Sequence, residues 1–310
     1  MLNLHIEHPE DTILTGNLDF LKAIKSYTVA PHGHISVKID GSPAIVWGTH
    51  PVTHKFFVGT KSVFNKKLIK VNYTHKDIDN NHKGLVAIIL HACLSSLPKT
   101  EYIYQGDFLG FGGDNTFQPN TVTYVFPENV QQTIIVAPHT QYEIDQCVPS
   151  PSLNALRDTI AIPLYEQLES TDKTFFYQPL AIMSINDSLK ERIDFALQIA
   201  QLVKFLDKDM AKALQYELNQ HIKQGRKIDS DDYGDSGYGQ LVGFNNLIME
   251  IKEELLSCCK SNQVAMTLIE GEECDGEGYV FHSGYGSFKL IDRRYFSFYN
   301  FKLHLSLIHI

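Results

Sequence analysis

Four residues carry the chemistry that this sequence could perform. Lys38 lies in the apolar run Val37-Lys38-Ile39-Asp40-Gly41-Ser42, two residues before an Asp-Gly turn. Asp107 stands at the glycine-bounded end of Tyr102-Ile103-Tyr104-Gln105-Gly106-Asp107. Glu277 opens Glu277-Gly278-Tyr279-Val280, and Lys289 sits inside Phe288-Lys289-Leu290-Ile291. A surface lysine needs no apolar setting, but a nucleophilic one does. Its ordinary pKa of about 10.4 must fall, and partial burial or neighbouring cations bring it down. Moving a nucleotide onto an amine takes a nucleophile, carboxylates for a divalent metal, and a cation on the phosphorus as it becomes pentacovalent. These four residues supply every part, with two carboxylates among them. Any one alone is weak, since Lys-x-Asp-Gly arises by chance; the ordered set is specific.

The elements that must position them read as mostly antiparallel β, with helices packed on it. Ser36–Ile39, Pro43–Trp47, Lys55–Gly59, Glu101–Phe111, Asn120–Phe126 and Thr133–Ala137 show strand patterns, as do Val264–Ile269 and the two strands bearing Glu277 and Lys289. Helices are predicted at Leu18–Tyr27 and Gly84–Leu97, the second ended near Pro98. Composition changes at Pro149-Ser150-Pro151, and from there helices are predicted at Leu153–Glu169, Leu189–Leu206, Asp209–Gln224 and Gly243–Cys259. The expected organisation is α+β. Residues 1–149 and 263–310 form a discontinuous β domain, and residues 150–262 an inserted helical subdomain. Asp229 to Gly239 superficially suggests a calcium loop, but Tyr233 and Gln240 occupy ligand positions, so it reads as an acidic flexible loop. The residues from Tyr295 on could form an edge strand or a docking tail.

With 43% hydrophobic and 20% charged residues, the 310-residue chain has an ordinary globular composition. It contains no apolar run near the roughly 18 residues of a membrane span. The opening residues lack a basic n-region, so no signal peptide is expected. Five cysteines without regular spacing suit a reducing compartment. Together these readings place the chain in the cytoplasm and away from membranes. A net charge of −9 argues against non-specific coating of nucleic acid, though not against a local basic groove. Lys55, Lys61, Lys66, Lys67, Lys70, Lys76 and Lys83 share one segment whose only acids are Asp77 and Asp79. That segment is either a solvated face or a surface contacting phosphates. Lys55, Lys66, Lys67 and Lys70 are its candidate nucleic-acid contacts.

The four chemical segments resemble the nucleotidyltransferase superfamily of ATP-dependent DNA ligases, RNA ligases and mRNA capping enzymes, bacteriophage RNA ligases above all. Motif I reads Lys38-Ile39-Asp40-Gly41 and motif IV Glu277-Gly278-Tyr279-Val280. Motif III looks like Gln105-Gly106-Asp107-Phe108, with aspartate in place of the usual glutamate, and motif V like Phe288-Lys289-Leu290-Ile291. The resemblance covers about residues 30–140 and 264–293. It implies an antiparallel-sheet, ATP-grasp-like ligase domain with a helical insertion, and too few residues follow Lys289 for an OB domain. It implies that Lys38 becomes covalently adenylylated and that Lys289 serves the α-phosphate. Asp107 and Glu277 would serve the ribose or a Mg²⁺ or Mn²⁺ ion. Val37, Asp40, Gly41 and Lys61 would line the nucleotide pocket, with Tyr124 or Tyr142 stacking on adenine. The opening His5 to Asp11 and the run Lys38–Trp47 also resemble proteins of large tailed phages, which would place the chain in the host cytoplasm.

The departures shape the functional expectation. Pro43 stands where DNA ligases and capping enzymes usually carry arginine, and Ile291 replaces the second motif V lysine, leaving Arg293 as a substitute. Ser42 after the glycine is closer to phage RNA ligases. The expected activity is an ATP-dependent polynucleotide ligase that joins 5′-phosphate to 3′-hydroxyl ends, of RNA rather than DNA. Two alternatives stay open: a capping-type guanylyltransferase that does not seal, and a catalytically lapsed protein that binds nucleotide or nucleic acid.

Overall fold

The computed structural model describes residues 6–144, 155–234, 237–296 and 299. In chain order come helices α1 (Pro9–Thr12) and α2 (Asp19–Val29), strands β1 (His34–Val37), β2 (Ala44–Thr49) and β3 (Phe56–Gly59), then helices α3 (His75–Asn81) and α4 (Gly84–Ser96). Strands β4 (Ile103–Phe111), β5 (Thr116–Phe117), β6 (Thr123–Val125), β7 (Ile134–Ile144), β8 (Thr159–Pro163), β9 (Thr174–Phe176) and β10 (Ala181–Met183) follow. Helices α5 (Asp187–Ile199), α6 (Lys208–Lys223) and α7 (Gly239–Ser257) precede strands β11 (Cys259–Ser261), β12 (Met266–Ile269), β13 (Glu272–Cys274), β14 (Tyr279–Ser283) and β15 (Gly286–Leu290). The fold is mixed α+β with several antiparallel sheets.

The chain divides into two compact units. One holds Ile39–Gln178 and Gln263–Gly276; the other holds Ile6–Lys38, Pro179–Asn262 and the residues from Glu277 on. The chain therefore passes from one unit to the other immediately after Lys38 and again immediately before Glu277.

The first unit is built on a sheet ordered β3-β2-β4-β7-β8, with β9 joining β7 in parallel, and a second sheet ordered β13-β12-β6-β5. The run Ala44–Thr49 is apolar on both faces because both are covered. Ile45 and Trp47 enter a core with Ile89, Leu90 and Cys93 of α4, while Val46 enters another with Phe57, Val63 and Tyr142. Successive side chains of a strand alternate faces, so one strand feeds both cores.

In the second unit, β1-β14-β15 form one sheet and β10-β11 another. Phe20, Leu21, Ala23 and Ile24 of α2 join the core that α5, α6 and α7 build with Ile35, Phe281, Phe288 and Leu290 of the three-stranded sheet.

Two expectations are corrected, and one helix is found that the pattern did not predict. The helix predicted over Leu153–Glu169 is, where described, a 3-10 turn at Ala155–Asp158 followed by β8. Thr159, Ile160 and Ile162 are β-branched, and pairing with β7, which runs on to Ile144, outweighs a loose helical pattern. The boundary at Pro149-Ser150-Pro151 lies outside the described residues. The polar stretch from Tyr73 to Lys83 holds a helix, α3, started by a capping box between Thr74 and Asp77. The start of the C-terminal segment is helical at 293–296 rather than a strand. Tyr233, in the stretch expected to be an acidic flexible loop, is buried in the helical core, and its hydroxyl is pushed up to about 12 by that burial and by Glu217.

Charges are also buried in the second unit. Lys252 of α7 and Glu10 of α1 are each 1% exposed and pair at 2.6 Å. Arg293 donates to Asp11 at 2.8 Å and to the Asn219 amide at 2.7 Å, and approaches Glu10 at 3.4 Å. Burial alone would push the Glu10 carboxyl up, but Lys252, with His8 and Arg293, outweighs it and holds the group down to about 2. Burial pushes His8 down to about 3, so at neutral pH its 3.9 Å approach to Glu10 is not an ion pair.

Removing one partner of a buried pair leaves an uncompensated charge. Lys252→Met should therefore cost about 3–5 kcal/mol in urea unfolding. The pH dependence follows from the same groups. Both folded pKa values are depressed, so the unfolded state binds the protons first. Stability should decline as pH falls from the ordinary histidine value of 6.5 toward 3, and further as Glu10 passes from 4.5 toward 2. His8→Gln should flatten the upper part of that decline.

Candidate active site

Lys38, Glu277 and Lys289 come together on the three-stranded sheet of the second unit. The register sets Val37 opposite Tyr279, and Tyr279 opposite Leu290. The Lys38 N–H continues the ladder to the Gly278 carbonyl at 2.8 Å. Ile35, Phe281, Phe288 and Leu290 face the core, so alternation sends Ser36, Lys38, Val280 and Lys289 to the other face. There the Lys38 ammonium donates to the Glu277 carboxylate at 2.5 Å, with the two side chains 26% and 12% exposed. Lys289 lies opposite Val280. Its pKa is lowered, first by burial and then by the Lys38 charge, with Glu277 and Glu7 acting the other way. Gly278 makes the arrangement possible. Its φ of 125° is in the range glycine favours, and a side chain there would strike the Leu290 carbonyl.

The same face carries a polar row the sequence reading missed. The His282 ring bonds the Ser36 hydroxyl at 3.2 Å and the Ser287 hydroxyl at 2.8 Å, and stacks on His34 at 5.9 Å. The signal was the spacing of His34, Ser36 and Lys38 on alternate positions.

Asp40, Gly41 and Asp107 form a second group, in the first unit. The Asp40 carboxylate accepts from the Asn120 amide at 2.8 Å and from the backbone N–H groups of Thr121 and Val122 at 2.9 and 3.0 Å. Its own N–H donates to the Tyr124 hydroxyl at 2.6 Å. Asp40 and Tyr124 thus lash the Lys-x-Asp-Gly loop to the 120–124 segment. Tyr124 is 1% exposed; it is a clamp, with no ring face open for adenine. Tyr142, 4% exposed, is likewise a core residue: it packs on Phe64 at 4.6 Å and donates to Gln105 Oε1 at 2.7 Å. Burial raises its pKa. Neither tyrosine can stack on a nucleobase as placed.

A Cβ on Gly41 would meet the Asp107 Cβ at 2.7 Å and the Phe108 carbonyl at 3.0 Å. Ser42 and Phe108 are tied by an N–H to carbonyl bond of 3.0 Å, and Phe108 donates to the Pro43 carbonyl at 3.0 Å. Position 43 therefore serves the backbone pairing beside Asp107.

Asp107 is close to an unforeseen partner, His139, at 3.8 Å. Tyr142 fixes the Gln105 amide so that its Nε2 faces His139 Nε2 at 3.5 Å. His139 then keeps its hydrogen on Nδ1, bonded to the Thr140 hydroxyl at 2.7 Å. The imidazole lone pair and the Asp107 carboxylate thus approach each other, a donor set that a divalent cation would reconcile. Among the described residues no group of three or more His, Cys, Asp or Glu side chains is placed to hold a metal ion.

The lysines proposed to contact nucleic acid divide. Lys55, Lys66 and Lys67 are exposed, as is Lys61 at the start of a 3-10 turn capped by Thr60. Lys70 instead donates to the Asn81 carbonyl at 2.8 Å. The Lys66 carbonyl is held by Arg157. Arg293, the substitute for the missing motif V lysine, is committed to Asp11 and Asn219, and Ile291 is buried.

Residues 3–242 and 234–304 match a family described as a family of unknown function, DUF6267. The chain belongs to that family. No curated protein and no solved structure matches it. Within this DUF6267 member no helix of the described residues is long and apolar enough to cross a membrane.

Gly41→Ala should be destabilising by about 1–3 kcal/mol, because either strand β4 or the loop must shift to admit the methyl group. A lower urea midpoint with unchanged slope would show it. A midpoint equal to that of the unsubstituted protein would mean that the loop does not rest on Asp107.

Proposed function

We propose that this DUF6267 member is an ATP-dependent polynucleotide ligase of the covalent-lysine type, acting on RNA rather than DNA in the cytoplasm. The observation that carries this reading is the Lys38–Glu277–Lys289 cluster: two lysines and one carboxylate on a sheet face turned away from the core. The order of the motifs along the chain supports it, and the finer reading of the sheets is a nucleotidyltransferase fold.

In this mechanism the Lys38 ammonium gives its proton to Glu277 or to water, and the neutral amine attacks the α-phosphorus of ATP. The N–P bond forms, the bond from that phosphorus to the bridging oxygen breaks, pyrophosphate leaves with the electron pair, and the nitrogen gives its second proton to water or to the departing pyrophosphate. Lys289 balances the charge that grows on the α-phosphate oxygens. A bound Mg²⁺ or Mn²⁺, held by Asp107 or Glu277, would neutralise phosphate charge. The oxygen of a 5′-phosphate end then takes AMP from Lys38 and restores the amine. A 3′-hydroxyl finally displaces AMP and seals the strand. Lys55, Lys61, Lys66 and Lys67 supply phosphate contacts for the polynucleotide.

A second reading, a nucleotide- or nucleic-acid-binding protein without turnover, is favoured by two placements. Ile291 is buried where a cation would stand, and Arg293 is occupied by Asp11 and Asn219.

Incubation with α-labelled ATP and a divalent metal should label the protein covalently. Lys38→Ala should abolish the label, and Lys289→Ala should slow labelling by at least about 100-fold, the scale of removing one charge-stabilising donor. Labelled protein should then join 5′-phosphate RNA ends. Label from GTP alone would select a capping-type transferase, and no label from either nucleotide would select the binding protein.

A further inference from the structure

In the first unit, α3 and α4 bring three side chains together. His75 and Asp79 lie one turn apart on α3 and so share a face. His91 of α4 meets both. Its Nε2 is 3.0 Å from the Asp79 carboxylate, and its Nδ1 is 2.7 Å from Nδ1 of His75. The two rings stack at 5.0 Å with an angle of 22°. Thr74 and Asp77 start α3 with a capping box, and Lys83 donates to the Asp79 carbonyl at 2.5 Å, so the helix that presents these groups is fixed at both ends.

The hydrogen bonds dictate the tautomers. Asp79 is an acceptor only, so His91 carries its hydrogen on Nε2. Its Nδ1 then offers a lone pair, and His75 Nδ1 must supply the hydrogen between the rings. A histidine whose far nitrogen donates to a carboxylate, leaving the near nitrogen as a lone pair, is the arrangement that orients imidazole for a metal. His91 has this arrangement, and the Nδ1 of His75 converges on the same point, where it offers a lone pair once its hydrogen moves to Nε2.

We propose that His75 and His91 form a binding site for a borderline transition-metal dication, Zn²⁺ above all, with Asp79 as the orienting carboxylate. Imidazole pairs suit Zn²⁺ and its neighbours rather than Mg²⁺ or Ca²⁺. His75 and His91 bind through Nδ1, and His75 carries its hydrogen on Nε2, so no net proton is lost. At Zn–N distances of about 2.0–2.1 Å in tetrahedral geometry the two nitrogens must stand about 3.3 Å apart, so the rings part by roughly half an ångström. Water, or an atom of a ligand, fills the remaining positions. Asp79 does not reach the ion, since it holds the opposite nitrogen, and the site is therefore one of two protein donors. It is independent of the ligase reading.

The test is titration of the full chain, free of any affinity tag, with Zn²⁺ in a calorimeter and with Co²⁺ in an absorption spectrometer. One ion per chain is expected, together with a Co²⁺ ligand-field band. His75→Ala and His91→Ala should abolish both signals while leaving helicity unchanged, since the site lies on the surface of the α3–α4 pair. Asp79→Asn should weaken affinity by about 10–100-fold. Absence of Zn²⁺ uptake by the unsubstituted chain, or equal uptake by both histidine variants, would overturn the site and leave a proton-sharing contact.

Discussion

The three strands β1, β14 and β15 have one face in the helical core and one outside it, and this two-sidedness is what the second unit's chemistry depends on. Burying Ile35, Phe281, Phe288 and Leu290 fixes the register, because a one-residue slip would send that apolar set out of the core. Once the register is set, the positions of Lys38 and Lys289 are not independent choices. They alternate with core residues, so they must emerge on the opposite face, where the Glu277 carboxylate, carried just ahead of β14 and Gly278, meets Lys38. Hydrophobic burial therefore positions the charged groups. The cost is local: burial first, and then the charge of Lys38, disfavours the Lys289 ammonium, with Glu277 acting the other way.

The segment that follows β15 shows how firmly this sheet is tied down. Arg293 is bound to Asp11 and to Asn219, and Glu10 beside it is bound to Lys252. A buried pair of this kind contributes little net stability relative to an apolar pair of the same shape. Its effect is on geometry, since each charge can be satisfied in only one arrangement of α1, α7 and the residues after Leu290. The Glu10 backbone takes part too, accepting from the Asn245 amide at 2.6 Å. An arginine held this way is a structural cation.

Much of the architecture was legible in residue pattern. The helices α2, α4, α5, α6 and α7 and the strands flanking Lys38, Asp107, Glu277 and Lys289 follow from apolar periodicity and from glycine or proline punctuation. What pattern did not carry was pairing. β8 reads as a weak helix until β7 is seen to extend beside it, and α3 reads as a polar loop because its capping box, not an apolar stripe, starts it. Site residues divide along the same line. Lys38, Glu277 and Lys289 sit next to structure-determining glycines or inside strands, so spacing alone exposed them. Tyr124 and Tyr142 were chosen for their ring type, yet both rings are enclosed and their hydroxyls are spent on Asp40 and Gln105. His139 gave no local signal, because its significance comes from a register across β4 and β7.

That register bears on the aspartate at position 107. The backbone of the Lys-x-Asp-Gly loop lies so close to strand β4 that only glycine fits above the Asp107 Cβ. The carboxylate is consequently fixed at its base. At its tip it faces the His139 ring, whose hydrogen is drawn to the Thr140 side by the Gln105 amide and, behind that, by the Tyr142 hydroxyl. Two electron-rich groups converging at 3.8 Å are a poor arrangement in isolation. Either a proton on the imidazole or a cation shared by both removes the conflict. The buried Tyr142–Gln105 bond ties the choice to the core, because rotating the amide would leave the Tyr142 hydroxyl without its acceptor. The neighbouring strand thus sets an imidazole beside the Asp107 carboxylate, and the pair rather than Asp107 alone is the unit on which a metal role in this protein must be judged.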